Sequence, residues 1–276
     1  MKKLLLIVPS LHQGGAEKVC AATAVILKPW FEVQIAIFDS ANIDFDVEGV
    51  PVHDLGLPSR PGKLAKVLNV FRRANRLNRL KKKERIDIAY SFGPTANLAN
   101  VFAGRLFSRK GPVCWLGVMS FMDMDSSWLG LFCKRCDRLL CCSETLRQMI
   151  EKKYACGRTC TLPGFFDIAQ IRKRADEEEP TLPWQGGRII CSMGREDVVK
   201  GFWHLLKIFS LVHEKLPDTR LLIIGKGEFT PYRKLADNLG IADAVCFAGL
   251  QKNPYPYLKK GSLYLLTSYW EGFPNA

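Results

Sequence analysis

Short apolar runs alternate along this chain with longer stretches in which apolar residues recur every three or four positions. The runs at 4–8, 33–38, 86–90, 113–117, 138–142 and 159–162, and again at 189–193, 221–224, 245–247 and 263–266, have the length and continuity of strands buried on both faces. Helical spacing fills the gaps at 16–27, 63–83, 97–107, 144–154, 202–215 and 231–239. Helix starts are marked by Ser143-Glu144 ahead of Thr145-Leu146 and by Pro231 at a first helical position. Strand and helix in alternation predict an α/β fold with parallel sheets, here two doubly wound Rossmann-like units. Pro163-Gly164 is a turn signal, and 172–187 is charged and then rich in Pro and Gly without apolar periodicity. The expected division is a first domain at 1–165, a linker at 166–187 and a second domain at 188–276.

Composition narrows the class. With 276 residues and 47% hydrophobic positions, the chain is large enough for two cores. It has no apolar run of roughly eighteen residues. The run Leu4-Leu5-Leu6-Ile7-Val8 is cut by Pro9 and the polar residues after it, which is too short for a signal-peptide core and suits a first strand. The ten cysteines sit mostly in apolar contexts and nothing marks secretion, so reduced thiols and a cytoplasmic location follow. Cys133 and Cys136 form a C-x-x-C without a second pair at zinc-finger spacing, and no metal is expected.

The net charge of +13 is partly local: eleven Lys or Arg residues and one acid, Glu84, fall between Arg60 and Arg85. In the same helix Leu64, Val67, Leu68, Phe71 and Leu80 trace an apolar stripe. Two uses are open: docking on an anionic membrane surface, peripheral and on its inner face, or domain packing with a solvated basic face. Nucleic acid is not expected, because neither interleaved aromatics nor a known module accompanies the charge.

Candidate chemistry collects at strand ends. Gly14-Gly15-Ala16-Glu17 lies between the first strand and the first helix, where glycine lets a backbone approach a phosphate and the helix start offers N–H groups; alone, it is also a plain tight turn. Gly194-Arg195, then Lys200-Gly201, sets two cations at the end of a strand, suited to an anionic diphosphate whose charge grows as it leaves. Gly225-Lys226-Gly227 and Gly249 end two further strands. The final segment, Ser268-Tyr269-Trp270-Glu271-Gly272-Phe273-Pro274-Asn275-Ala276, brings a carboxylate and backbone N–H groups to a sheet edge.

These segments resemble the retaining nucleotide-sugar glycosyltransferases of the family-4 type. The resemblance is specific at residues 14–17, 194–201 and 268–275, and implies the GT-B fold of two facing Rossmann-like domains. It implies Arg195 and Lys200 on the donor diphosphate and Glu271 near the sugar ring. Gly14, Gly15, Gly194, Gly225, Gly227, Gly249, Phe273 and Asn275 fall in donor-binding loops, and His12, Glu17 and Ser120 on the acceptor side. Family members often place a histidine after the fifth strand; here Ser120 and Asp123 occupy that stretch. The family's second glutamate, eight positions after the first, would fall three residues past Ala276, so the second domain is expected to be incomplete and the chain cut short inside its donor site. The implied partners are a nucleotide sugar and a cell-envelope glycan or lipid-linked acceptor, with no cofactor and no metal. A sugar-nucleotide epimerase of the same fold and a non-catalytic nucleotide-sugar or membrane-binding protein are the alternatives.

Overall fold

The run Lys2–Val8 forms β1, and its alternation decides the architecture around it. Leu4, Leu6 and Val8 join one buried cluster, while Leu5 and Ile7 join another on the opposite face. A strand apolar on both faces needs cover on both, which a parallel sheet flanked by helices supplies. The computed structural model describes residues 1–274 except 13, 42, 60 and 105–110, and excludes the side chains of 63, 64 and 125. It divides into two compact units, residues 1–165 with 272–274, and residues 166–271.

In the first unit β1 is followed by α1 (Gly15–Leu27), β2 (Phe31–Ile37), β3 (Val52–Asp54), α2 (Lys63–Lys83), β4 (Ile88–Phe92), α3 (Pro94–Phe102), β5 (Val113–Val118), α4 (Leu129–Arg135), β6 (Arg138–Cys141), α5 (Glu144–Tyr154) and β7 (Thr159–Thr161). The sheet order is β3-β2-β1-β4-β5-β6-β7, and every pairing is parallel. The chain winds outward from β1 in both directions, so the carboxyl end of β1 is a switch point where α/β sheets bind ligands. The helix read at 97–107 starts earlier, because Pro94 suits a first turn and Asn97 N–H bonds to Gly93 O at 2.9 Å; among the described residues it ends at Phe102.

The second unit runs α6 (Ile168–Ala175), β8 (Arg188–Met193), α7 (Phe202–Lys215), β9 (Thr219–Ile224), α8 (Thr230–Asn238), β10 (Val245–Gly249), α9 (Tyr255–Lys259) and β11 (Leu263–Tyr264). Its parallel sheet has the order β10-β9-β8-β11, which makes β8 the switch strand. Leu221 and Ile223 of β9 face a core with Phe202, Phe209 and Phe229, and Leu222 and Ile224 face the other side. Each of those buried phenylalanines contributes about 1.5–3 kcal/mol through burial.

Residues 166–187, expected to be a linker, begin with α6. Asp167 caps it by accepting Gln170 N–H at 2.9 Å, and none of its residues is buried, which is why its sequence lacks apolar periodicity. Polar ties hold it instead: Asn253 Nδ2 donates to Arg174 O at 2.7 Å, and Lys259 pairs with Asp176.

The basic helix α2 is two-faced along its length. Val67, Leu68 and Phe71 are each more than half exposed, whereas Ala74 and Leu77 are buried. Two of its cations face inward. Arg73 donates to Leu57 O and lies over the Phe38 ring, and Lys81 donates to Asn100 Oδ1 at 2.6 Å near the last carbonyls of α3. The apolar stripe therefore splits: Val67, Leu68 and Phe71 face out, while Leu80 packs with Ala74 and Leu77 against the core.

All ten cysteines are free thiols; eight are buried, and Cys160 and Cys246 are partly exposed. Among the described residues no three His, Cys, Asp or Glu side chains are grouped to hold a metal.

Candidate active site

Of the sequence-derived candidates, His12, Gly14, Gly15 and Glu17 meet at the carboxyl end of β1. Gly14 precedes α1, and its backbone is extended, so a close approach and not its φ calls for glycine: a Cβ there would lie 2.0 Å from Glu17 Oε2. Glu17 thus folds back over the glycine from the first turn of α1. Burial raises its pKa, more than its own backbone N–H and nearby His12 lower it. His12 Nδ1 lies 2.6 Å from Asp44 Oδ2, and Asp44 is brought alongside by the bridge between Leu11 and Ile43.

Ser120 follows β5 and is committed to a cap. Its hydroxyl and the Asp123 carboxylate make a reciprocal capping box, with Asp123 Oδ2 accepting Met119 N–H at 2.7 Å and Ser120 N–H at 3.1 Å. Burial nevertheless raises the Asp123 pKa. Gly272 and Phe273 group with this unit, where Phe273 packs against the cluster that contains Val118, Cys142 and Leu146. A Cβ on Gly272 would meet Met119 O at 2.6 Å. Asn275 lies outside the described residues.

Arg195, Lys200 and Glu271 belong to the second unit. The chain leaves β8 at Met193, and Asp197 caps a short 3-10 turn, Val198–Lys200, that leads into α7. Gly201 closes the turn at φ 64, with Thr267 O so near that a Cβ would lie 2.1 Å from it. Parallel pairing of β11 with β8 brings the segment after β11 beside this turn. Thr267 Oγ1 donates to Gly201 O at 3.1 Å, and Tyr269 N–H to Val199 O at 2.8 Å. The result is an ion pair, Lys200 Nζ to Glu271 Oε1 at 2.6 Å, with Ser268 Oγ donating to the same oxygen at 2.7 Å. Both charged side chains are mostly buried, so their attraction is stronger than at an open surface. Arg195 is instead 70% exposed and bonds Asp197 Oδ2 through Nη2 at 2.7 Å.

The glycines Gly225 and Gly227 back this turn. A Cβ on Gly225 would lie 1.8 Å from Gly194 O, and one on Gly227 would lie 2.3 Å from the Glu196 Cβ. Gly194 carries the Lys200 side chain over it, the Cδ 3.2 Å from where a Cβ would sit. Gly249, at φ 71, accepts Gly225 N–H at 2.9 Å. Sequence reasoning missed Glu196 and Asp197. Glu196 accepts Phe229 N–H at 2.8 Å, tying the glycine turn to the start of α8, and its partner lies 33 positions away, beyond local pattern. Asp197 had a local signal, an acidic residue at the start of a turn that ends in glycine.

Comparison with known proteins decides what kind of chain this is. Residues 13–170 match the family described as Glycosyltransferase Family 4, and residues 174–276 match the one described as Glycosyl transferases group 1. The chain belongs to glycosyltransferase family 4. An uncharacterized glycosyltransferase of Methanocaldococcus jannaschii is 27% identical over 150 residues, 52% of this chain and 37% of that protein. The N-acetylgalactosamine-N,N'-diacetylbacillosaminyl-diphospho-undecaprenol 4-alpha-N-acetylgalactosaminyltransferase of Campylobacter jejuni is 26% identical over 290 aligned positions, covering 100% of this chain and 77% of that one. Among solved structures, the lipopolysaccharide outer core galactosyltransferase WaaB superposes with a TM-score of 0.69 at 18% identity, over 99% of this chain and 76% of that one. That likeness identifies the fold as GT-B.

Proposed function

We propose that this family-4 chain is a retaining glycosyltransferase that moves a sugar from a nucleoside diphosphate donor to a lipid-linked or glycan acceptor in cell-envelope assembly. The observation that carries the reading is the Lys200–Glu271 pair at 2.6 Å, at the turn that follows the switch strand β8, with Arg195 on the same turn. In this reading Lys200 and Arg195 take the diphosphate oxygens, gaining interaction energy as the leaving group gains charge, while Glu271 accepts a hydrogen bond from a sugar hydroxyl. These cations do the work that a divalent ion would otherwise do. The acceptor attacks on the face the diphosphate leaves, and the anomeric configuration is kept. The acceptor class is supported by the Campylobacter relative, whose name specifies a diphospho-undecaprenol substrate.

The test is a screen of UDP-, GDP- and ADP-sugars with a polyprenyl-diphosphate sugar acceptor, the product anomer read by NMR. Lys200→Ala and Arg195→Ala should each lower turnover about 100- to 1,000-fold, the scale for one preorganised electrostatic group, and a chelator should change nothing. Near-parental turnover in both folded variants removes the cations from the site. Epimerised donor without an acceptor points to the epimerase, and no turnover of any donor to a binding protein.

A membrane-associated acceptor fits a second feature of the first unit. Val67, Leu68 and Phe71 stand out on α2 among the exposed cations Arg72, Arg79, Lys82 and Lys83. Among the described residues no helix is long and apolar enough to cross a membrane. The proposed contact is a peripheral one, on the cytoplasmic face. Binding to phosphatidylglycerol vesicles should fall as salt rises and weaken when Arg72, Arg79, Lys82 and Lys83 are neutralised. Equal binding to neutral vesicles overturns the charge argument. Lys81 belongs in no such variant, because it is buried.

A further inference from the structure

A carboxylate stands where a diphosphate site would be expected to avoid one. Asp197 Oδ2 accepts from both Nε and Nη2 of Arg195, at 3.0 and 2.7 Å, and its Oδ1 accepts Val199 N–H at 3.1 Å. Its carbonyl oxygen accepts Lys200 N–H at 3.0 Å. One residue therefore orients one cation through its side chain and sets the backbone of the other. Arg195 has no burial to hold it, and an exposed arginine loses rotamer freedom on meeting a ligand unless something fixes it first. We propose that Asp197 is a positioning residue that pre-aims Arg195 at the donor diphosphate, giving up some donor affinity for a fixed geometry in the transition state. This rests on the donor-site reading above.

The charges facing Asp197 are Arg195 and, through space, Lys200, and both favour its ionised form. Its pKa is lowered first by the Val199 N–H and then by Arg195, so the carboxylate stays charged across the range in which enzymes work. As an anion it repels the diphosphate and competes with it for the guanidinium. Affinity and turnover should accordingly move in opposite directions when the charge is removed. A role confined to holding the turn would move both the same way.

The experiment compares the full chain with Asp197→Asn, Arg195→Ala and the double variant. Asparagine keeps an oxygen for Val199 N–H and puts an NH2 donor where Oδ2 accepts from Arg195, so it removes the charge together with the hold on the guanidinium. Pyrophosphate, a probe independent of the donor base, is titrated by calorimetry, and turnover is measured with the sugar nucleotide found in the screen. Asp197→Asn should bind pyrophosphate about two- to fivefold more tightly and lower kcat about tenfold. In the Arg195→Ala background the same change should alter either quantity less than about twofold, because Asp197 acts through Arg195. Weaker pyrophosphate binding in Asp197→Asn, or a kcat loss that persists without Arg195, overturns the proposal, as does a variant indistinguishable from the parent. If Arg195→Ala itself changes neither binding nor turnover, the donor-site reading falls and takes this one with it.

Discussion

The turn after β1 and the turn after β8 leave their sheets at equivalent switch positions, yet they are built from different materials. At the first, Gly14 makes room for the far end of a flexible side chain, Glu17, and the neighbouring polar pair is His12 and Asp44. At the second, Gly225 makes room for a main-chain oxygen, Gly194 O, and two cations are matched to carboxylates: Arg195 to Asp197 and Lys200 to Glu271. On the proposed reading, in which the second turn holds the donor diphosphate, rigid backbone contacts and paired cations keep the anion in one place.

The largest expected effect separates the two glycines. Gly225→Ala places a methyl group against a backbone oxygen at φ 155 and should lower the stability of its unit by roughly 2–4 kcal/mol. Gly14→Ala only displaces the Glu17 carboxyl and should cost less than about 1 kcal/mol. Thermal unfolding of both variants checks the contrast, and equal losses would erase it.

A smaller effect concerns the sign of the pH dependence. Glu17 has a raised pKa in the folded state, so the fold favours its protonated form and its ionisation opposes folding as pH rises from the ordinary glutamate range through the raised value. Glu17→Gln should then stabilise the protein at neutral pH and give no gain in acid. Asp197 has a lowered pKa, so its contribution is present above the ordinary aspartate range and is lost as pH falls through the lowered value. Asp197→Asn should be mildly destabilising at neutral pH, with the difference shrinking in acid. Stability curves of the same sign for the two variants would show that the turns do not differ in this respect.

The sequence made the strands legible where both faces are buried, because a run such as Leu4 to Val8 has no other use. It also pointed to the glycine turns, since each ends such a run. Elements formed by context escaped it. β3 is three residues long and held by pairing, with His53 Nε2 2.9 Å from Gln34 Oε1, and α6 buries nothing. In the site, residue types were readable but pairings were not. Lys200 and Glu271 are 71 positions apart, and only the β8–β11 pairing brings them together. The stripe on α2 left two uses open for a related reason: periodicity shows that apolar residues share a face, and packing alone decides which part of that face is covered.

The free thiols give the chain a set of internal clocks. Cys160 on β7 and Cys246 on β10 are partly exposed, one in each unit, while the other eight are buried. Cys114, Cys133, Cys136, Cys141, Cys142 and Cys156 share a single cluster of the first unit, and Cys191 lies under the second sheet. An alkylating reagent reaches such sulfurs only when their surroundings open, so the order in which they react reports the opening free energy of each unit separately. A mass spectrometer would read that order from the native sequence, without any label being introduced.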